Sequence, residues 1–302
     1  MDVFITGGTG FVGTALTRTL GEAGMGVTVL CRPGEHPPDL PGNAACLEGD
    51  PTRPGPWQDE AARHEIFINL AGASIFSRWT KRQKALIRES RMATTRNLVA
   101  AVERRRGSPA TLFSTSAVGY YGFTGDEKLT EQSPAGDDFL AGIAAGWERT
   151  AKKAEASGAR VVITRFGIVL GPGGGALGQM IPLFRWGLGS PLGSGRQWFS
   201  WIHIDDLCRI FLFLMEHTEI SGPVNCTSPG PVTNRGLTQA LAAALSRPVI
   251  LPPVPAAVLR IVLGEFSQVL VRGQRVMPEK LMNAGFEFEY PALEGAIGSV
   301  LD

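Results

Sequence analysis

The run Asp2-Val3-Phe4-Ile5-Thr6-Gly7-Gly8-Thr9-Gly10-Phe11-Val12-Gly13 constrains this chain more than any other feature. It reads as a short apolar strand, a Gly7-x-x-Gly10-x-x-Gly13 turn and an amphipathic helix from about Phe11 to Ala23, followed by a second strand from Gly26 to Cys31. A dinucleotide's pyrophosphate needs that order of parts. Gly7 allows the tight turn off the strand. Gly10 lets the backbone pass close to the phosphates, and Gly13 lets the helix lie close against the sheet. The helix N-terminus then offers free N–H groups and the positive end of its dipole to the anion. A purely structural glycine turn is the alternative, and the strand–turn–helix–strand context speaks against it.

Apolar strand-like runs recur at 44–48, 66–70, 110–114, 161–166 and 222–225, with helical patterns near 78–106, 138–157 and 205–217 between them. Near-continuous apolar strands alternating with helices predict an α/β fold with a Rossmann-type, doubly wound parallel sheet. Segments 33–43 and 171–175 are rich in Gly or Pro and read as surface loops. From about 230 the strand alternation stops, and helical patterns at 234–246, 255–272 and 278–284 suggest a small, mostly helical C-terminal lobe on the substrate side. The expected division is a nucleotide domain of residues 1–166 with about 204–226, and a lobe of 167–203 and 227–302.

At 302 residues, with 44% hydrophobic and 19% charged residues, the chain can build a large soluble core. The net charge of +1 gives no reason to expect nucleic acid or an anionic membrane as partner. Arg104-Arg105-Arg106 ends a helical pattern and reads as a solvated helix end. No apolar run reaches ~18 residues, so no membrane span is expected. The first residues enter a strand directly, without a basic stretch and cleavage site, and a cytoplasmic location follows as the expectation. Cys31, Cys46, Cys208 and Cys226 are scattered with no CxxC pair, which favours buried thiols in a reducing compartment over disulfides or a metal site.

In NAD-binding versions of this architecture an acidic residue after the second strand bonds the ribose 2′-hydroxyl. Here the strand ends Leu30-Cys31-Arg32 with no carboxylate. A guanidinium suits a 2′-phosphate, so the reading is NADP, with a surface arginine as the plainer alternative for Arg32. Gly49-Asp50 after the third strand should lie beside the adenine, and Leu70-Ala71-Gly72 after the fourth should line the cofactor trough. Thr9, Phe11, Val12, Cys31, Ser114 and Val169 complete the expected cofactor contacts.

Several motifs fall in one order: the glycine turn, Asn69-Leu70-Ala71-Gly72, Ser114-Thr115-Ser116-Ala117-Val118-Gly119-Tyr120-Tyr121-Gly122, Arg165-Phe166-Gly167 through Pro172, and Trp201-Ile202-His203-Ile204-Asp205-Asp206. The chain resembles an extended short-chain dehydrogenase/reductase of the NAD(P)-dependent epimerase/dehydratase superfamily. More narrowly it resembles the atypical "epimerase family" proteins, which carry Gly193-Ser194-Gly195-Arg196-Gln197-Trp198-Phe199-Ser200-Trp201 and a C-terminal lobe of unassigned role. The resemblance covers roughly the whole chain.

That resemblance implies a Tyr-x-x-x-Lys pair assisted by a serine and often an asparagine, the tyrosine exchanging a proton with the substrate oxygen. Ser116 matches the serine. On the helix that follows, Phe139 takes the tyrosine position and Ile143 the lysine position, and neither transfers a proton. Arg91 stands at the asparagine position, where a fixed cation can contact the cofactor's phosphate or ribose; an exposed helix arginine is the alternative. Tyr120 and Tyr121, beside Ser116, are the remaining acid/base candidates. Asp137 and Asp138 read as acid/base candidates or helix caps, and Asp205 as the N-cap of the helix near 206. His203 reads as a structural histidine before a catalytic one. Gln197, Arg196, Trp198, Phe199 and Trp201 line either a substrate pocket or a packed lid.

Two functions remain open. One is an NADP-dependent oxidoreductase or epimerase with a non-standard acid/base set and a small polar or sugar-like substrate, working as a possible homodimer. The other is a non-enzymatic NADP(H) binder that senses the redox ratio or joins an assembly. Polar groups around Ser116 and an open pocket favour the first; an apolar, closed cleft favours the second.

Overall fold

The computed structural model describes residues 1–34, 40, 44–105 and 107–301, so most of loop 33–43 and Arg106 lie outside the described residues. The first half contains β1 (Asp2–Thr6), α1 (Phe11–Glu22), β2 (Gly26–Cys31), β3 (Ala44–Glu48), α2 (Trp57–Ala61), β4 (Ile66–Asn69), α3 (Lys81–Glu103), β5 (Thr111–Ala117), β6 (Lys128–Leu129) and α4 (Phe139–Ala151). There follow β7 (Arg160–Phe166), β8 (Ile168–Leu170), α5 (Gly175–Arg185), β9 (Trp198–Phe199), β10 (Trp201–His203), α6 (Ile204–Glu216), β11 (Gly222–Cys226) and β12 (Val232–Thr233). The chain closes with α7 (Asn234–Ala244), α8 (Ala256–Leu263), α9 (Ser267–Val271), β13 (Arg275–Val276), α10 (Glu279–Asn283) and α11 (Leu293–Leu301).

Seven strands form one sheet in the order β11-β7-β5-β4-β1-β2-β3, and every pairing in it is parallel. The period of two divides the core. Val3 and Ile5 face α1 and α6, packing with Leu16, Leu20, Leu207 and Phe211. Phe4, between them, faces the other way with Phe67, Leu98, Val102 and Ile163 against α3. Because both faces are covered, the strands are apolar nearly throughout. A third core joins α5, α7 and α11 through Leu177, Phe184, Leu237, Leu241 and Ile297.

Several expectations need correction. The helical pattern over 255–272 is broken at Gly264, whose φ of +62° only glycine holds without strain, so α8 and α9 are separate. Segment 171–175, read as a surface loop, runs into α5 at Gly175, and the parallel pair β8–β10 lies on either side of that helix in sequence. The N-cap of α6 is His203, whose Nδ1 accepts from the Asp205 N–H at 3.2 Å, in place of Asp205. Asp138 does cap α4, accepting from Leu140 and Ala141 N–H.

Cys31 and Cys46 are joined in a disulfide, while Cys208 and Cys226 are buried free thiols. The parallel register sets Val29 opposite Cys46 and Cys31 opposite Glu48, which brings the two Cα atoms to 6.0 Å. Register is invisible in a cysteine count, and with this bond the cysteines no longer argue for a reducing compartment. Reduction is expected to lower unfolding stability by up to about 3 kcal/mol, the loop-closure value for a ring of this size. Matched thermal melts with and without reductant measure it; identical melting points would show that the bond adds nothing.

Candidate cofactor site and its neighbouring proton groups

The glycine turn sits at the carboxyl ends of β1 and β4. Gly7 has φ +77°, and a Cβ there would come within 2.7 Å of Ala71 N. At Gly13 a Cβ would stand 2.2 Å from Gly7 O, so the helix lies directly on the turn. A Cβ on Gly10, by contrast, would meet only Gly7 O at 3.4 Å and otherwise open space. Gly10 is also the N-cap of α1, with no side chain bonding the first-turn N–H groups. An uncapped helix end beneath open space is a cradle for an anion.

Arg32 and Asp50 flank this cradle at the ends of β2 and β3. Asp50 accepts from the Thr52 side chain at 2.7 Å and from its N–H at 2.9 Å. These bonds, with smaller help from Arg53 and Arg32, hold its carboxyl below the usual range despite some burial. Arg32 therefore lies close enough to act on Asp50 electrostatically. The Cys31 side chain is turned into the core and bonded to Cys46, which leaves only its backbone near the site.

Beyond β4, residues 70–73 run over Arg91. The Arg91 guanidinium donates to Ala73 O (3.0 Å) and Ile87 O (3.1 Å) and lies 5.2 Å from the Trp147 ring centre. Burial brings its pKa down to about 10, so it stays charged at neutral pH. Gly72 is small enough for the backbone to pass over it, since a Cβ there would be 3.1 Å from the guanidinium carbon. Asn69 is spent structurally, accepting from Thr6 Oγ1 and donating to Thr95 Oγ1. Ser114, one strand over, has a buried hydroxyl with no hydrogen-bond partner among the described residues. A buried donor left unpaired opposite the end of β4 fits a bound polar ligand. Phe11 and Val169 meet across Gly175, where a Cβ would be 2.7 Å from Val169 O and 3.0 Å from the Phe11 ring.

The proton-transfer candidates are arranged differently from the expectation. Ser116 is buried, and its hydroxyl donates to Glu148 Oε1 at 2.7 Å. Glu148, on α4, takes a two-pronged bond from Arg165 on β7, both N–O distances being 2.8 Å. Arg165 also donates to the Tyr121 hydroxyl (2.9 Å), which donates to Asn225 Oδ1 (2.6 Å). Burial alone would disfavour the Arg165 charge, but Glu148 and Tyr121 outweigh it and raise its pKa. Burial pushes the Tyr121 phenol up to about 12 although Arg165 opposes it. Ser116 and Tyr121 are thus tied into a buried network and face no open cleft. Tyr120 is half-buried, its ring stacked 3.5 Å from the Arg165 guanidinium carbon.

The network extends to the C-terminal lobe through Glu131, which accepts from the N–H groups of Asn225 and Lys280. Burial raises the Glu131 pKa, with these bonds opposing. A carboxyl with a raised folded pKa contributes its stability below the unfolded value near 4.5 and loses it as pH rises through the folded pKa. Glu131→Gln should therefore flatten the decline in stability that sets in as pH rises above about 4.5. Denaturant melts of both proteins across that range check this; parallel curves would show that Glu131 does not titrate differently on folding.

Phe139, at the tyrosine position, packs edge-on to Trp79 at 5.1 Å, and Trp79 packs on Phe266 at 5.9 Å. Lys84 Nζ lies 4.8 Å from the Phe139 ring centre and also pairs with Glu265. Ile143 is buried. Aromatics from the nucleotide half and the C-terminal lobe thus meet at Phe139 beside the Lys84–Glu265 ion pair, and both Phe139 and Trp79 are half-buried. Trp201 is fully buried in core, its indole donating to Gly230 O, so it lines no pocket. Trp198 donates to Asp126 and stacks with Arg275, while Gln197 donates to Leu192 O and Leu270 O. Arg196 is exposed and Phe199 pairs with Val232 through β9–β12. His203 is buried and bonded to Ser299 Oγ through Nε2, with burial lowering its pKa, which makes it structural.

Residues 3–226 match the profile of the NAD dependent epimerase/dehydratase family. The chain belongs to that family. Residues 254–300 match a domain of unknown function, DUF1731. The Bacillus subtilis epimerase family protein YfhF is 39% identical over 309 residues, covering 100% of this chain and 98% of its own. A chloroplastic SDR39U1 homolog of Arabidopsis thaliana is 37% identical, covering 100% of this chain and 87% of its own. The crystal structure of human SDR39U1 (isoform 2) with NADPH superimposes with a TM-score of 0.85 at 33% identity, covering 99% of each chain. A Thermus thermophilus UDP-glucose 4-epimerase, at 20% identity and TM-score 0.78, shares the fold.

Sequence reasoning missed Glu148, Glu131 and the aromatic pair Trp79–Phe266. One signal was available: Arg165 stands in the mostly apolar run 161–166, and a charge there demands a buried partner.

Proposed function

We propose that this family member binds NADP(H) as an oxidoreductase or epimerase-like protein with a non-standard catalytic set, on a small polar or sugar-like substrate and without a nucleic acid partner. The observation that carries the reading is the uncapped α1 end under the open space at Gly10, with Arg32 and not an acidic residue directly after β2. Backbone N–H groups of Phe11, Val12 and Gly13 would hold the pyrophosphate, and Arg32 the 2′-phosphate. Asp50 would flank the adenine, and Leu70–Gly72 with Ser114 would line the trough over Arg91. The similar human protein was crystallised with NADPH, which supports this choice of nucleotide. When bound, the nicotinamide supplies hydride chemistry; the chain's own groups position it and exclude water. Tyr120, the phenol outside the Arg165–Asn225 chain of bonds, is the proton donor in this reading. No helix among the described residues is long and apolar enough to cross a membrane, and the proposal includes a cytoplasmic location.

Titration with NADPH and NADH tests the assignment. NADPH should bind more tightly, and Arg32→Ala should cost about 1.5–3 kcal/mol of that preference. Equal affinities, or a preference untouched by Arg32→Ala, would remove Arg32 from the site.

A second reading, a non-enzymatic NADP(H) sensor or assembly partner, is favoured by one observation: Phe139 packs on Trp79 with no hydroxyl to offer, while Ser116 and Tyr121 are tied to Glu148 and Asn225. NADPH oxidation against a panel of carbonyl compounds separates the two. Turnover lost in Tyr120→Phe supports the enzyme. Tight NADPH binding with no turnover on any compound supports the sensor.

A further inference from the structure

Thirteen large apolar side chains are exposed among the described residues, and nine of them lie in two stretches, 183–188 and 249–262. Trp186 is 82% exposed, Ile250 and Ile261 75%, and Val262 63%. The segment directly after the first stretch is stitched to the second: Ser190 Oγ donates to Pro252 O, Val254 N–H donates to Pro191 O, and Gly193 N–H donates to Val254 O. Helix α8 buries no residue fully. Leu259 and Leu263 are partly covered, whereas Val258, Ile261 and Val262, spaced i, i+3 and i+4, point to solvent. That is an apolar helical stripe on the outside of the molecule.

The segments that carry these stretches are one-sided in charge. Residues 167–203 and 227–278 contain seven arginines and a single acid, Glu265, a local net charge of +6. The whole chain is +1, so the remaining residues sum to −5, and the overall balance conceals the asymmetry. Arg185, Arg247 and Arg260 are exposed within or beside the apolar stretches themselves.

We propose that this face docks the protein on the surface of an anionic lipid bilayer, with Trp186, Ile250, Ile261 and Val262 in the headgroup–acyl boundary and Arg185, Arg247 and Arg260 at lipid phosphates. Exposed aliphatic side chains and a tryptophan with exposed arginines next to them in sequence are the composition of an interfacial element. The arginine stems extend the apolar cover while their heads reach the phosphates. A second copy fits worse, because an isologous contact would set these arginines against their own kind with Glu265 as the nearest acid in sequence. This is attachment to a surface and needs no spanning helix. It is independent of which nucleotide the protein binds.

Co-sedimentation of the intact chain with vesicles tests it. Binding is expected to phosphatidylglycerol/phosphatidylcholine vesicles and not to pure phosphatidylcholine, and it should weaken as salt rises. Arg185→Gln should lower partition about fivefold, the ratio equivalent to about 1 kcal/mol per arginine near the surface. The pair Ile261→Asp and Val262→Asp should abolish sedimentation while leaving thermal unfolding and NADPH affinity unchanged, since both side chains are exposed. The proposal is overturned by equal binding to both vesicle types, by no binding to anionic vesicles at low salt, or by vesicle binding retained in the double variant. A dimer in solution that the same pair dissociates would instead assign the face to self-association.

Discussion

Glu148→Ala is expected to destabilise the fold by about 3–5 kcal/mol, the range for breaking a buried ion pair. Glu148 and Arg165 are both almost fully buried, and the carboxylate satisfies two guanidinium N–H groups and the Ser116 hydroxyl at once. Removing it leaves a cation without its counter-charge between β7 and α4. The Tyr121–Asn225 link then loses its anchor, and with it the contact to Glu131 and the C-terminal lobe. Replacing Glu148 and Arg165 together by apolar residues should cost much less than the single change, because no orphaned charge remains. Urea unfolding of both variants checks this. A loss under about 1 kcal/mol for Glu148→Ala would mean that the pair is solvated, as surface pairs are.

Gly10→Val is expected to leave the folded protein stable and to weaken nucleotide binding at least about 100-fold. The backbone at Gly10 is extended (φ −83°, ψ 175°), which any residue adopts, and its Cβ direction is open. A branched side chain there occupies the space over the α1 N–H groups. Lengthening two charge-assisted hydrogen bonds to a pyrophosphate accounts for about 3 kcal/mol or more. Gly13→Ala makes the contrast: its methyl would collide with Gly7 O, so that variant should lose fold stability itself. A melting temperature alongside an NADPH titration separates the two effects. Unchanged affinity in Gly10→Val would place the pyrophosphate elsewhere.

Legibility in the sequence followed the range of the forces involved. The glycine turn, the parallel strands and α1, α3, α4, α6 and α7 were readable because each is set by local periodicity and turn chemistry. Phe139 and Ile143 are assigned to the tyrosine and lysine positions on motif spacing alone. The Cys31–Cys46 bond, the Glu148–Arg165 pair and the Trp79–Phe139–Phe266 contacts join residues from different elements, so only strand register and helix packing reveal them. The helix α11 was missed because Gly295 and Gly298 dilute a short apolar pattern that holds only against α7. His203 displaced Asp205 as the cap because a buried ring nitrogen pointed at the free N–H while the Asp205 side chain turned outward.

The central claim is that Arg32 and the residue 7–13 turn form the two ends of an NADP(H) site. The most direct test is the distance from the Arg32 guanidinium to the 2′-phosphate in a crystal structure grown with NADPH. The account predicts hydrogen-bond contact, about 2.7–3.2 Å, with the pyrophosphate over the N–H groups of residues 11–13. A nucleotide bound with its pyrophosphate away from Gly10, or a 2′-phosphate held without Arg32, would contradict it.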